Sequence, residues 1–312
     1  MDTKETAILL VGFGAPERPE DVPEFLHRVA AGRDIPETRL KQTAEHYYRL
    51  GGSPYNASVR AQAESLIDEF GRRGIELPVY VGMRNWNPTL VQTLRKMTSD
   101  GIRRAALITL APHAGPVSSE RYEDALAEAQ RLAGPQVPVL VPIAAWHGDK
   151  GFVQAIVERV SELMARSQGH DPGTLAWIFT VHSIPVEAAK GSPYVAEYRE
   201  TVGRVAAELG IADPVLAFQS RSGRRNTPWL EPDIREALKE AAAAGKSTAV
   251  VVPVGFVNEN VELLYDLDTE ARQVAGVAGI EMLRVKAVES HPRFISMLAD
   301  RIAQALNLGP SS

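Results

Sequence analysis

Seven short apolar runs punctuate the chain, at 6–14 (TAILLVGFG), 78–83 (PVYVGM), 104–112 (RAALITLAP), 138–143 (PVLVPI), 175–183 (LAWIFTVHS), 214–220 (PVLAFQS) and 247–256 (STAVVVPVGF). Each is rich in apolar residues, Val and Ile above all, with Gly or Pro at its ends, which is the pattern of a strand buried on both faces. Between them lie amphipathic stretches at 57–73, 88–99, 119–133, 150–166, 194–209 and 231–244, with apolar positions spaced for helices. Alternating strand and helix implies an α/β fold, with parallel sheets covered by right-handed crossover units.

The two halves read alike. Each opens with a strand running into a short polar loop, at 12–16 and 181–185. Each later has a strand ending in a loop of ionisable groups, LAPHAGPVSSERY in the first half and VPVGFVNENVELLYD in the second. The pattern predicts two similar doubly wound domains, residues 1–148 and 149–291, divided near AAWHGDKGF (144–152). A final helix, 292–307, is expected to return to the first domain. Ligands collect at the carboxyl ends of strands in open α/β sheets, so these loops are expected to line one cleft between the domains.

Composition removes several classes of function. A chain of 312 residues suits two domains, each of about 150 residues. The absence of cysteine excludes disulfides, thiolate zinc sites and an iron–sulfur cluster. A net charge of −5, with both signs mixed along the chain, leaves no basic footprint for nucleic acid. The start, MDTKETAILLVGFG, lacks the pattern of a signal peptide. No apolar run approaches the roughly 20 residues of a transmembrane segment. The expectation is a cytoplasmic, monomeric enzyme with no permanently bound cofactor.

Three features fall at predicted strand ends: His182 after WIFTV, His113 after LITLAP, and the acidic stretch after VVVPVGF. That stretch, FVNENVELLYDLDTEA, spaces Glu262, Asp266 and Glu270 four apart, with no Lys or Arg interleaved. On a helix the three carboxylates share one stripe, roughly 6 Å from neighbour to neighbour. A neutral imidazole with one or two carboxylates suits a divalent first-row metal held loosely, because no HExxH or multi-histidine spacing accompanies it. Clustered carboxylates also raise one another's proton affinity, so the stripe is fitted to accept protons near neutral pH.

Each feature alone has a plainer reading, as a hydrogen-bonded strand-end histidine or a solvated acidic face. Their convergence on one predicted cleft favours a site. His113 stays open between facing that cleft and holding the APHAGPVS loop in shape. Tyr55 in GGSPYN and Trp229 in SGRRNTPWLEPD either contact a flat acidic ligand or pack as ordinary aromatics. GxGxxG, Walker A and GxSxG motifs are all missing, which removes the Rossmann-cofactor, P-loop and α/β-hydrolase readings.

Taken in order, LLVGFGAPERPEDVPEFLHRVAAGR, HYYRLGGSPYN, LAPHAGPVS, VHSIP followed by GSPY, FQSRSGRRNTPWLEPD and VPVGFVNENVELLYDLDTEA resemble the ferrochelatase family in its short bacterial form. The resemblance runs from residue 6 nearly to the C-terminus. It implies two Rossmann-like, chelatase-type domains around a porphyrin cleft. It further implies insertion of Fe(II) into a dicarboxylate porphyrin, protoporphyrin IX or coproporphyrin III, with release of two protons in haem biosynthesis. By the same resemblance His182 and Glu262 are the catalytic and metal-binding pair, and Asp266 and Glu270 continue as a relay for protons or metal on a helix of π character. Phe13, Arg33, Tyr55, His113, Ser118, Tyr122 and Trp229 are then porphyrin-binding or cleft residues. The implied partners are porphyrin and ferrous iron, the iron as substrate rather than resident cofactor.

Three positions depart from the family pattern. Phe13 stands where many bacterial relatives have a tyrosine, Asn260 stands where a histidine is usual, and GGSPYN is one residue shorter than the common loop. Two other functions compete. A cobalt or nickel chelatase of the sirohydrochlorin type relies on more histidines at its metal site. A non-catalytic porphyrin- or haem-binding relative would have no need of His182 and the acidic stripe together. A periplasmic-type solute binder is disfavoured by the missing signal pattern.

Overall fold

The computed structural model describes residues 3–32, 36–116, 118–167, 169–221 and 227–308. Eight strands form two four-stranded parallel sheets. The first sheet contains β1 (Thr6–Gly12), β2 (Val79–Met83), β3 (Arg104–Thr109) and β4 (Val139–Pro142), ordered β2-β1-β3-β4. The second contains β5 (Leu175–His182), β6 (Val215–Gln219), β7 (Thr248–Pro253) and β8 (Glu281–Arg284), ordered β6-β5-β7-β8. The two orders are the same pattern repeated, as the likeness of the halves predicts.

Burial explains which strands sit in the middle. Every residue of β1 and of β7 is buried, so these strands need apolar side chains on both faces. Ile8 of β1 pairs with Val79 on one side and Ala106 on the other. Ile178 of β5 is flanked in the same way by Val215 and Val251. Helices cover the sheets, and cores form around Leu9, Val11, Leu94 and Met97 in the first and around Ile178, Leu238, Val251 and Leu267 in the second.

Three elements fall outside the stretches read from the sequence. β8 is a four-residue edge strand with charge at both ends. Helix Glu37–Leu50 buries none of its side chains fully, and its Tyr47 ring packs edge-on against Phe25. Helix Val22–Ala30 is short and buries only Val22, Phe25 and Leu26.

The chain divides into two compact units. One comprises Met1–Ala111, Ser118–Trp146 and Glu289–Ser312; the other comprises Pro112–Val117 and His147–Val288. The helix Pro292–Leu306 packs on helix Tyr55–Arg72 of the first unit, where Arg73 reaches Asp300 at 2.6 Å. The loop after β3 clusters with the second unit, although β3 itself belongs to the first. Its Ala114 N–H donates to the Glu197 carboxylate at 2.6 Å, and His113 Nε2 lies 3.0 Å from Thr201 Oγ1.

Candidate active site

In a sheet ordered β6-β5-β7-β8, the connections leave β5 in one direction and β7 in the other. The carboxyl ends of β5 and β7 therefore flank the crevice where open α/β sheets take their ligands. His182 is the last residue of β5, and the segment after β7 leads into Glu262. Gly255 lets the segment after β7 lie tight against β5. A Cβ there would stand 2.9 Å from Val181 Cα, inside any real contact distance.

The backbone on both sides of His182 is pinned. Tyr194 Oη donates to the His182 carbonyl at 2.8 Å, Ser183 N–H donates to Gln219 O at 2.7 Å, and Ser183 Oγ donates to Leu230 O at 3.0 Å. His182 Nδ1 meets the Ser183 carbonyl, which can only accept, so Nδ1 carries the ring proton. A ring so oriented turns Nε2 toward Glu262. That atom lies 3.6 Å from Glu262 Oε1, with the two side chains 30% and 43% exposed. The pair is therefore open to a small solute.

Glu262 begins a ten-residue π-helix, Glu262–Ala271. π-geometry usually appears as single-turn bulges, often at functional sites. Leu263, Tyr265, Leu267 and Ala271 are buried, and this burial leaves Glu262, Asp266 and Glu270 less covered. Asn260, one of the departures from the family pattern, accepts the Leu263 N–H through Oδ1 at 3.0 Å and so caps the first turn. The far side is anchored by Arg284 of β8, whose guanidinium binds Glu259 at 2.9 Å and Asp268 at 2.7 Å. Burial alone would lower the pKa of Arg284, but the bonds to Asp268 and Glu259 outweigh it and raise the value.

The acidic stripe has electrostatic relief from another element. Arg235, on helix Ile234–Ala243, places Nη1 3.8 Å from Glu270 Oε2. Asp266 is the most perturbed carboxyl of the three. Burial pushes its pKa up to about 7, with Glu262 and Glu270 adding to the rise while a hydrogen bond from Ser220 and the charge of His182 oppose it. Ser220 holds a left-handed backbone, φ 61°, which turns the chain just beyond β6.

This raised pKa has a sign that melting curves read directly. Folded Asp266 keeps a proton that the unfolded chain releases above about pH 3.8, so its contribution to stability is lost as pH rises toward 7. Asp266→Asn is expected to melt higher than the wild type by a margin that widens from pH 4 to pH 7 and then levels. A margin independent of pH would show that the carboxyl titrates normally.

The remaining candidates fall in several places. Phe13, Tyr55 and Tyr122 lie together in the first unit at the carboxyl ends of its strands: Tyr55 Oη accepts the Phe13 N–H at 2.9 Å, and the Arg84 guanidinium carbon is 5.1 Å from the Phe13 ring centroid and 5.2 Å from that of Tyr122. Burial raises the Tyr55 hydroxyl to about 12, so it stays protonated. Ser118 caps helix Ser119–Ala133, accepting the Ser119 N–H at 2.7 Å. Trp229 is buried in the second unit and bridges Pro185 in the loop after His182.

His113 is only 2% exposed, its ring edges against Tyr194 and Tyr198, and burial drives its pKa down to about 3. The residues around its ring belong to the second unit. Arg33 lies outside the described residues. Arg235 and Arg84 carry no motif signal, while Tyr194 and Ser220 lie within GSPY and FQSRSGRRNTPWLEPD with no role assigned to them there. Ser220 and Arg84 do follow strand ends directly, which is the positional cue that could have found them.

Among the described residues no group of three or more His, Asp and Glu side chains is arranged to hold a metal ion, and no helix is long and apolar enough to cross a membrane. The sequence matches the family profile described as Ferrochelatase over residues 5–306. It is 40% identical to a coproporphyrin III ferrochelatase of Streptomyces griseus, covering 96% of this chain and 84% of the relative. It is 36% identical to a ferrochelatase of Rhodopirellula baltica over 96% of this chain and 86% of that protein. Among solved structures, a cobalt complex of the sirohydrochlorin chelatase SirB from Bacillus subtilis aligns with TM-score 0.58 at 11% identity, covering 97% of this chain and 96% of that one. That likeness speaks for the fold alone. A profile match spanning both sheets, with relatives at this identity over nearly the full chain, leads to one conclusion: the chain belongs to the ferrochelatase family.

Proposed function

We propose that this chain inserts Fe(II) into coproporphyrin III, releasing two protons. The family makes it a metal-chelating enzyme acting on a porphyrin in haem synthesis. The finer substrate is supported by relatives named coproporphyrin III ferrochelatase at 37–40% identity. Coproporphyrin III is a tetracarboxylate, so the dicarboxylate expectation holds only for protoporphyrin IX.

One observation carries the chemical reading: His182, with Nδ1 turned to the Ser183 carbonyl, presents Nε2 to the Glu262 carboxylate at 3.6 Å. In the proposed reaction these two groups receive Fe(II) as substrate. Two protein ligands bind such an ion loosely, and a macrocycle offering four nitrogens takes it over. The pyrrole protons leave to His182 and the stripe. Asp266, with a pKa of about 7, is poised between accepting and releasing a proton at neutral pH, where a proton-transfer group works best. Glu270 then passes protons on to water. Phe13 has no ligating atom, so this residue offers the iron no oxygen.

An anaerobic insertion assay tests the proposal, following the porphyrin absorption bands with Fe(II) and either coproporphyrin III or protoporphyrin IX. Metalation of coproporphyrin III at the higher kcat/KM is expected. Failure to metalate either porphyrin would overturn the function, and a preference for protoporphyrin IX would overturn the substrate.

A further inference from the structure

Arg84 sits just beyond β2, strapped in place by its own N–H donating to Gly12 O at 2.9 Å and by Asn85 donating to Phe13 O from both backbone, at 2.9 Å, and side chain, at 3.1 Å. Its guanidinium carbon lies 5.1 Å from the Phe13 ring centroid and 5.2 Å from the Tyr122 ring centroid. Burial lowers its pKa, and the charged or titratable groups that it feels are Tyr122, Arg121 and Tyr55. No carboxylate is among them, and no described residue forms an ion pair with it.

Other arginines that are largely covered are treated differently. Arg284 holds Glu259 and Asp268, and Arg73 holds Glu69 and Asp300. A guanidinium never sheds its charge at physiological pH, and a covered charge without a counter-ion is costly. The nearby rings supply π density, but they offer none of the carboxylate oxygens that a guanidinium fork binds in pairs. Arg121 adds like charge beside it. The arrangement is a rigid, positively charged seat with no carboxylate partner among the described residues.

We propose that Arg84 is the seat for a carboxylate arm of the macrocycle, with Phe13 and Tyr122 orienting its fork. This rests on the porphyrin reading above and adds to it a binding residue and a ligand group. A flat tetracarboxylate supplies both an aromatic body for the surrounding rings and an anion for the fork. Removing the cation should then weaken binding of the acid specifically. It should also leave the free protein no less stable, because an uncompensated charge is lost.

The test compares wild type, Arg84→Gln and Arg84→Lys by fluorescence titration with coproporphyrin III and with its tetraamide, in which each carboxylate is a neutral amide of the same size. Expected for Arg84→Gln is at least a tenfold rise in Kd for the acid, a change under twofold for the tetraamide, and a Tm equal to or above wild type. Arg84→Lys should recover part of the loss, since it keeps the charge without the fork. Equal loss of both ligands, no loss of either, or a Tm lowered by several degrees would each overturn the seat. If the wild type binds and metalates coproporphyrin III while Arg84→Gln binds it normally, the seat alone is wrong. If the wild type binds no porphyrin, the porphyrin reading falls and the seat with it.

Discussion

His182→Ala is expected to lose iron insertion by roughly 10²–10⁴-fold, the range typical of removing a positioned proton-transfer group, while porphyrin binding and melting temperature stay close to wild type. The size follows from two roles carried by one ring. Nε2 faces Glu262 at 3.6 Å, and in the proposed reaction it is both a ligand atom for Fe(II) and the base for a pyrrole proton. The small effect on stability follows from position. The ring is 30% exposed and its Nδ1 bond is to the adjacent Ser183 carbonyl, so truncation opens no sealed cavity and strands no distant partner. Neighbouring backbone remains held by Tyr194 and Ser183. Single-turnover insertion, with porphyrin titration and a melting curve on the same preparation, checks all three parts. Near-normal turnover would remove His182 from the site.

The second large effect is expected at Glu262→Gln, a change that keeps the side chain's size and removes its charge and basicity. Glu262 is the carboxylate that faces His182, so its loss should lower insertion by about 10²-fold or more even at saturating Fe(II). Glu270→Gln should cost much less, because Glu270 is 43% exposed, already near Arg235, and lies two steps along the stripe. A relay tolerates a missing outer rung better than a missing terminus. Rates measured across Fe(II) concentration for both amides separate these outcomes. If both were negligible, the stripe would be an ordinary solvated face.

Much of the fold was legible because its strands bury both faces. TAILLVG and TAVVVP announce themselves as β1 and β7 with no help from tertiary context. Helix Glu37–Leu50 and β8 were harder to read, since the helix buries no side chain fully and the strand has only four residues at a sheet edge. At the site, His182 and Glu262 stood out as ionisable groups at the ends of buried strands. The division of roles around them was hidden, because it depends on which elements the fold brings together. Arg235 answers the acidic stripe from another helix, Ser220 reaches Asp266 from beyond β6, and Arg284 anchors the π-helix from an edge strand. His113 stayed open between two roles because a strand end in sequence says where the backbone emerges, not which side of a loop its ring will be buried on.

The helix Pro292–Leu306 has a consequence for the order in which the protein can be made. It supplies Phe294, Leu298 and Ile302 to the first unit, all fully buried, although every strand of that unit is complete by Pro142. As the chain leaves the ribosome, the first unit therefore waits for the whole second unit to be translated. At synthesis rates of about 5–20 residues per second this interval lasts roughly ten to thirty seconds. During that time the apolar face of helix Tyr55–Arg72 has no covering helix, so the nascent N-terminal half is the stretch on which chaperones have most to hold. The second unit, closed by β8 before that last helix emerges, can fold first despite being synthesised later.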